Sequence, residues 1–249
     1  MPGTQTIVDI AALRRSCAQC SLQQLCLPAG IGAEDLKRLD EVVRKRRPLG
    51  RGDALFRVGS PLGSLFVARE GAFKTVALSE DGTEQVIGFH LPGELLGLDA
   101  LGEGVHRCDA HALEPAEVCE VPLDELGAIA ARIPSLHQQL LRVIGQSMGR
   151  DHDHLAMMGR RHANERVALF LHGLSERLQR LGRDPDHLTL PMSREEIASY
   201  LGLVIETVSR TFSRLQDEGV ISVRGRKLQV LDRARLDLIA HDPEEARSR

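Results

Sequence analysis

The spacing of apolar and polar positions divides the chain into stretches of different texture. From Ala33 to Arg47, Leu36, Leu39, Val42 and Val43 form a helical stripe, with Glu34 and Asp35 in the first turn. Arg44-Lys45-Arg46-Arg47 closes the stretch before Pro48. Acids first and bases last suit a helix dipole, so the pattern predicts one helix whose basic run is its C-terminus. From Leu49 to about Pro122 the texture changes to short apolar runs, Ser64–Ala68, Phe73–Leu78, Gln85–His90 and Ala110–Val121. Turn signals punctuate them at Gly50-Arg51-Gly52, Gly59 to Gly63, Asp81-Gly82 and Pro92-Gly93. Short strands at such intervals predict an antiparallel sandwich or roll.

Leu123 to Ala131 reads as a helical link, and Ile133-Pro134-Ser135 opens a longer helix. Along it Leu141, Ile144, Met148, Asp151, Leu155 and Met158 alternate steps of three and four. That is a heptad seam, and it predicts two copies of the helix packed side by side. Asp151 stands where an apolar knob belongs. Two facing carboxylates would repel and hold the dimer near its threshold; the alternative is an Asp at the solvent edge of the seam. Gly145-Gln146-Ser147-Met148-Gly149 matches a hydrolase elbow, but that motif needs a strand before its Ser and here falls inside the heptads. His152 and His154, two residues apart, do not share a helix face and are expected to be solvated.

A further helix is predicted from Asn164 to Leu181, with Val167, Phe170, Leu171, Leu174 and Leu178 as its core face. Ser193-Arg194-Glu195-Glu196 is a capping box opening a helix through Tyr200. Gly202 makes a turn, and Ile205 to Asp217 forms the next helix. Two short strands, Val220–Val223 and Leu228–Leu231, flank Arg224-Gly225-Arg226-Lys227. Helix, Gly turn, helix and hairpin make a winged helix-turn-helix. The whole reads as an α+β chain in four parts: a cysteine segment (1–32), a β-roll (33–133), a dimerisation helix (134–161) and a winged helix-turn-helix (162–249).

Charge sharpens this division. Between Arg160 and Arg235, 14 Lys and Arg stand against 10 Asp and Glu, while the chain as a whole carries a formal charge of −3. A basic C-terminal part beside an acidic remainder suits a polyanion partner there. Residues 1–12 lack a basic start and a long apolar run, and no apolar run approaches the ~20 residues of a membrane span. The expectation is a cytoplasmic chain whose five Cys are ligands or reduced thiols rather than disulfides.

Three of those thiols crowd into Cys17-x2-Cys20-x5-Cys26; Cys108 and Cys119 lie far down the chain. Thiolates are soft ligands for zinc or iron–sulfur clusters, and the spacing points to a metal site without naming the metal. The alternatives are loose thiols and a redox pair. In the winged helix, the N-terminal part of the second helix would meet base edges in the major groove, and it carries Glu206, Thr207, Ser209 and Arg210. Arg can bond guanine O6 and N7 together, and Glu can accept from cytosine N4. Glu206 and Arg210 are also four apart and could form an intrahelical ion pair. Arg214, Arg224, Arg226 and Lys227 suit phosphates.

With these parts in this order, the chain resembles the cyclic-AMP receptor protein superfamily, and within it the fumarate-and-nitrate-reduction (FNR) branch of oxygen-sensing transcription factors. The motifs carrying the resemblance are the Cys17, Cys20, Cys26 spacing, Val118-Cys119-Glu120-Val121-Pro122 and Glu206-Thr207-Val208-Ser209-Arg210. Phe89 to Gly93 and Tyr200 to Leu203 are consistent with it. The resemblance implies a cyclic-nucleotide-binding-like roll and an oxygen-labile four-iron four-sulfur cluster on Cys17, Cys20, Cys26 and Cys119. A local reading would instead favour Cys108, whose neighbour Arg107 could lower its thiol pKa. The resemblance also implies that Asp151 disfavours the dimer when the cluster is absent. The cluster-loaded homodimer would bind an inverted TTGAT-ATCAA-like repeat, read by Glu206, Ser209 and Arg210, and would engage RNA polymerase. Rival readings are a cyclic-nucleotide sensor using Glu94 and Arg107, a haem sensor and a zinc-stabilised interaction module. An enzyme reading finds no phosphate loop and no credible nucleophile.

Overall fold

The computed structural model describes residues 17, 20–79, 82–160 and 162–241. Residues 1–12, Asp81 of the expected turn and the last residues of the winged-helix span lie outside them. Helix α1 (Ala33–Val42) is shorter than its sequence pattern, and Arg44–Leu49 is strand β1. The basic run is therefore a sheet edge and not a helix C-terminus. Two causes combine. Pro48 biases the residue before it to extended backbone, and β1 gains a ladder with β8 (Ala116–Pro122) that sets Arg44 opposite Glu120 and Pro48 opposite Glu117. Proline is tolerated because β1 is an edge strand.

The roll is built from two four-stranded sheets, with β2 (Ala54–Phe56), β3 (Ser64–Glu70), β4 (Phe73–Leu78), β5 (Glu84–His90), β6 (Leu95–Leu96) and β7 (Asp109–Ala112) as the other strands. Their orders are β1-β8-β3-β6 and β2-β7-β4-β5. The single run expected from Ala110 to Val121 is thus two strands in different sheets, broken around Pro115. Because side chains alternate along a strand, β3 and β8 each serve two cores. Phe66, Ala68, Ala116 and Val118 fill the roll's interior together with Cys108. Leu65, Val67, Val121 and Cys119 point outward, into a second core shared with Leu27, Leu36, Leu39 and Leu136.

Helix α2 (Leu123–Ala130) leads into α3 (Pro134–Met158), whose N1 proline is preset for a helix start. On α3, Leu136, Gln139, Val143 and Met157 are buried within the chain. Gly145, Ser147 and Gly149 lie within this helix and form no strand–turn elbow. The winged helix comprises α4 (Ala163–Arg180), β9 (His187–Thr189), α5 (Arg194–Leu201), α6 (Ile205–Asp217), β10 (Ile221–Arg224), β11 (Lys227–Val230) and α7 (Arg233–His241). All five expected core residues of α4 are buried. β9 adds a third strand to the wing hairpin, and His172 of α4 lies 3.2 Å from Asp237, clasping α7 to α4, while His241 contacts the same carboxylate from within α7 at 3.1 Å.

The winged helix shares its core with the outer face of β4 and β5: Val76, Val86 and Phe89 join Phe170, Leu171 and Ile197. Tyr200 lies 5.0 Å from Phe89 and is stacked on His154 at 3.9 Å. His154 is accordingly not solvated as expected; its ring nitrogen Nε2 also lies 2.7 Å from the Tyr200 carbonyl. His152 is exposed. Among the described residues, no helix is long and apolar enough to cross a membrane.

Candidate metal centre and nucleic-acid interface

The cysteine segment folds back as a series of short turns, with Cys26 N–H donating to the Leu22 carbonyl at 3.0 Å. This brings Cys17, Cys20 and Cys26 over the outer face of β8, where Cys119 emerges. The four sulfur residues line one small apolar cavity of about 30 Å³, walled by Leu27, Leu39, Val67 and Val121. Cys108 is elsewhere. It is buried inside the roll, and its sulfur donates to Asp99 Oδ2 at 3.5 Å. Burial and Asp99 push its thiol up to about 12, so Arg107 does not lower it as the local reading supposed. Cys119, on β8, faces out of the roll with Val121, whereas Cys108, in the bend before β7, faces in.

Burial pushes the Cys26 thiol up to about 12, with the sulfurs of Cys119 and Cys20 close enough to add to the effect. Cys17 is raised too, first by burial and then by Asp40. Asp40 Oδ1 also accepts from the Cys17 N–H at 2.7 Å, tying the segment to α1. A metal entering here must displace protons from these thiols. The donor set fits a thiophilic centre: four thiols, no imidazole or carboxylate among the lining residues, and an apolar wall. Arg69 is the charged residue of that wall, at 3.6 Å from Glu117.

Two contacts at this site were not legible in the sequence. Gln139, buried on α3, donates from Nε2 to the Cys26 carbonyl at 3.0 Å. Leu27 and Ile31 pack in one core with Ile133, Leu136 and Val143. The cysteine segment therefore rests directly on the first turns of α3. A buried polar group far along the chain, at helical spacing among apolar residues, was the available signal.

Farther along α3 the outward row is apolar. Leu141, Met148 and Leu155 are 56%, 55% and 69% exposed, an unusual degree for such side chains. Ile144 is half-buried and Asp151 exposed on the same side. Met158, the expected end of the row, instead turns into its own chain: a Cβ added at Gly202 would lie 2.6 Å from its Cε. Gly202, at φ +60°, is the left-handed cap of α5, a conformation that favours glycine.

The two helices of the helix-turn-helix are fixed locally. Ser193 Oγ accepts from Glu196 N–H at 3.1 Å while Glu196 accepts from Ser193 N–H at 2.7 Å, completing the capping box. Arg194 lies 3.4 Å over the Phe212 ring, joining α5 to α6. Val208, Thr211, Phe212 and Leu215 bury the inner face of α6. That leaves Glu206, Ser209, Arg210 and Arg214 exposed and Thr207 half-buried. Arg210 donates to Thr207 Oγ1 at 3.4 Å, and no Glu206–Arg210 ion pair forms among the described residues. Val204 and Ile205, exposed apolar residues at the helix start, complete this face and had not been singled out. In the wing, Arg224 pairs with Lys227 across a two-residue turn, Gly225-Arg226, which presents Arg226 to solvent.

Comparison with known proteins follows the same division. Residues 46–132 match the cyclic nucleotide-binding domain family, and residues 165–239 match the Crp-like helix-turn-helix domain family. The chain is 41% identical to the transcriptional activator protein Anr of Pseudomonas aeruginosa, over 95% of this chain and 97% of that one. It is 37% identical to the fumarate and nitrate reduction regulatory protein of Escherichia coli, over 86% of each. Among solved structures, FixK2 of Bradyrhizobium japonicum superposes with a TM-score of 0.71 at 30% identity, over 78% of this chain and 95% of that one. With this fold, and with identity of that order over nearly the full length of both sequences, the chain belongs to the family of the Anr and fumarate-and-nitrate-reduction regulators.

Proposed function

We propose that this protein is an oxygen-responsive activator of anaerobic transcription that holds a four-iron four-sulfur cluster on Cys17, Cys20, Cys26 and Cys119. The observation that carries the reading is the convergence of four thiols on one apolar cavity that rests against α3. Thiolates accept zinc as well as iron–sulfur clusters; the likeness to the oxygen-sensing branch favours the cluster. When bound, the cluster would supply the oxygen-reactive chemistry. The chain's own residues supply the coupling. Cys119 anchors the site to the roll, and the Cys26–Gln139 hydrogen bond with Leu27 and Ile31 braces the start of α3. A braced α3 presents Leu141, Ile144, Met148 and Leu155 as a dimer seam, while the Asp151 carboxylates oppose it. The site thus biases a monomer–dimer equilibrium.

On DNA, Glu206, Ser209 and Arg210 would read base edges of a TTGAT-ATCAA-like inverted repeat, and exposed Val204 and Ile205 suit thymine methyl groups. Thr207, Arg214 and Arg226 would position the protein on phosphates. Activation implies a surface for RNA polymerase, and the reading places the protein in the cytoplasm. Protein purified without oxygen should be brown, with iron and acid-labile sulfide in about equal amounts, and should bleach in air. Cys119→Ala should abolish the colour and Cys108→Ala should keep it. A colourless protein carrying zinc would overturn the cluster.

A cyclic-nucleotide sensor is the second reading, favoured by the match of residues 46–132. Glu94, one of its two expected binding residues, is instead engaged by Arg177 at 2.7 Å. Isothermal titration with cyclic AMP distinguishes the two.

A further inference from the structure

Between the cysteine segment, the roll, α3 and α4 lies a second cavity, of about 210 Å³. A water takes ~30 Å³ in the liquid, so this space holds a solute several times larger. Its walls carry four guanidinium groups, Arg142 and Arg150 from α3 and Arg177 and Arg180 from α4, against one carboxylate, Glu94. Arg177 is spent on Glu94, which it grips through Nε at 2.9 Å and Nη2 at 2.7 Å, and it donates to the Phe89 carbonyl at 2.6 Å as well. Arg142 donates to the neutral side chain of Gln139 at 3.0 Å. Arg150 lies close enough for its charge to act on Glu94 and Asp151, without a hydrogen bond to either among the described residues, and Arg180 is exposed at the rim. Four guanidinium groups against one carboxylate leave the walls with a net excess of three positive charges. A concave site of one sign focuses its field on counter-ions, and the guanidinium fork matches phosphate and carboxylate oxygens in pairs.

We infer that this cavity binds a small oxyanion carrying two or more negative charges on phosphate or carboxylate groups. Such a ligand would bridge α3 to α4 and so restrain the winged helix relative to the dimer helix. The site stays open in a dimer. At 100° per residue, Arg142 and Arg150 project roughly 120° and 160° around α3 from the mean direction of Leu141, Met148 and Leu155. Gln24 and Leu25 of the cysteine segment form part of its wall, which places this anion site next to the thiol site while sharing no thiol with it. The inference does not rest on the identity of the metal.

The test is isothermal titration of pyrophosphate, and separately of succinate, into the full chain in low-salt, phosphate-free buffer. Arg150→Gln and Arg180→Gln should each weaken binding about tenfold or more, the loss of a charge-assisted hydrogen bond. Arg226→Ala, on the DNA face, should leave it unchanged. Binding of pyrophosphate alone assigns a phosphate ligand, of succinate alone a dicarboxylate, and of both the shared chemistry. Arg180 is exposed, so its replacement tests the site even where Arg150→Gln fails to fold. If neither anion binds, the inference is overturned. Binding that survives Arg180→Gln but is lost in Arg226→Ala overturns it as well.

Discussion

Replacing Asp151 tests how α3 balances association against separation. Met148 and Leu155 flank Asp151 on the row and are each more than half exposed. The Asp151 carboxyl already lies above the usual range, because partial burial outweighs the charges of Arg150, His154 and His152. In a dimer along this row the two Asp151 carboxylates would approach each other. At ~6 Å and an effective dielectric of ~20 they repel by about 3 kcal/mol, to be lessened by Arg150 and by salt. That corresponds to about a hundredfold in the dimer dissociation constant. Asp151→Ala should therefore make the cluster-free protein dimeric at concentrations where the parent is monomeric, and Asp151→Asn should do nearly the same. Dimerisation raises this carboxyl further, so the dimer binds protons more tightly than the monomer does. The parent's dimer should thus strengthen as pH falls from neutrality toward 5, while Asp151→Ala should not respond. Sedimentation velocity in air, over a range of concentrations and pH, measures both effects. If Asp151→Ala sediments like the parent throughout, Asp151 sits at the seam's edge and the threshold argument fails.

Gln139→Leu removes the hydrogen bond from α3 to the Cys26 carbonyl, worth about 1 kcal/mol. It should keep the full iron content yet bind DNA less tightly without oxygen; unchanged anisotropy titrations would refute that coupling. Arg210→Ala should cost roughly 1–3 kcal/mol per half-site and relax preference at one base. Arg226→Ala should weaken all duplexes alike and flatten the salt dependence; equal losses on every duplex for Arg210→Ala would make it a backbone contact. His90 is half-buried with its ring Nδ1 sealed from solvent and without a partner among the described residues, and desolvation pulls its pKa down to about 4. Its neutral form is favoured in the fold, so the stability it protects is complete above about 6.5 and lost as pH falls through about 4, on the order of 3 kcal/mol in all. Urea unfolding across that window should be less pH-dependent in His90→Gln; an identical slope would exonerate His90.

Local chemistry explains what was legible in the sequence. The helix-turn-helix could be read almost residue by residue, because the Ser193–Glu196 capping box and Gly202 set its ends from within a few residues. The α3 row was legible because a heptad is a property of one helix, and most strands of the roll announced themselves through alternation and glycine turns. The exposed side chains of α6 followed from its buried face, which leaves Glu206, Ser209 and Arg210 on the outer side.

Tertiary structure decided the rest, wherever two distant segments compete for one residue. Arg44 to Arg47 carries the local marks of a helix end, but pairing with β8, more than 60 residues away, makes it a strand. Met158 fits the heptad and yet turns into the helix-turn-helix, because Gly202 leaves it space there. His154 looked solvated until Tyr200 stacked on it. Local chemistry ranks Cys108 above Cys119 because of Arg107, and burial beside Asp99 overturns that ranking. Only the pleat of β8, with a cysteine segment folded over its outer face, brings Cys119 to the other three thiols. The four arginines of the second cavity come from two helices, and a single helix cannot show which charges will meet. The chain's periodicities thus determine which elements form. Which faces of those elements meet, and therefore which thiols and guanidinium groups converge, is fixed by long-range packing.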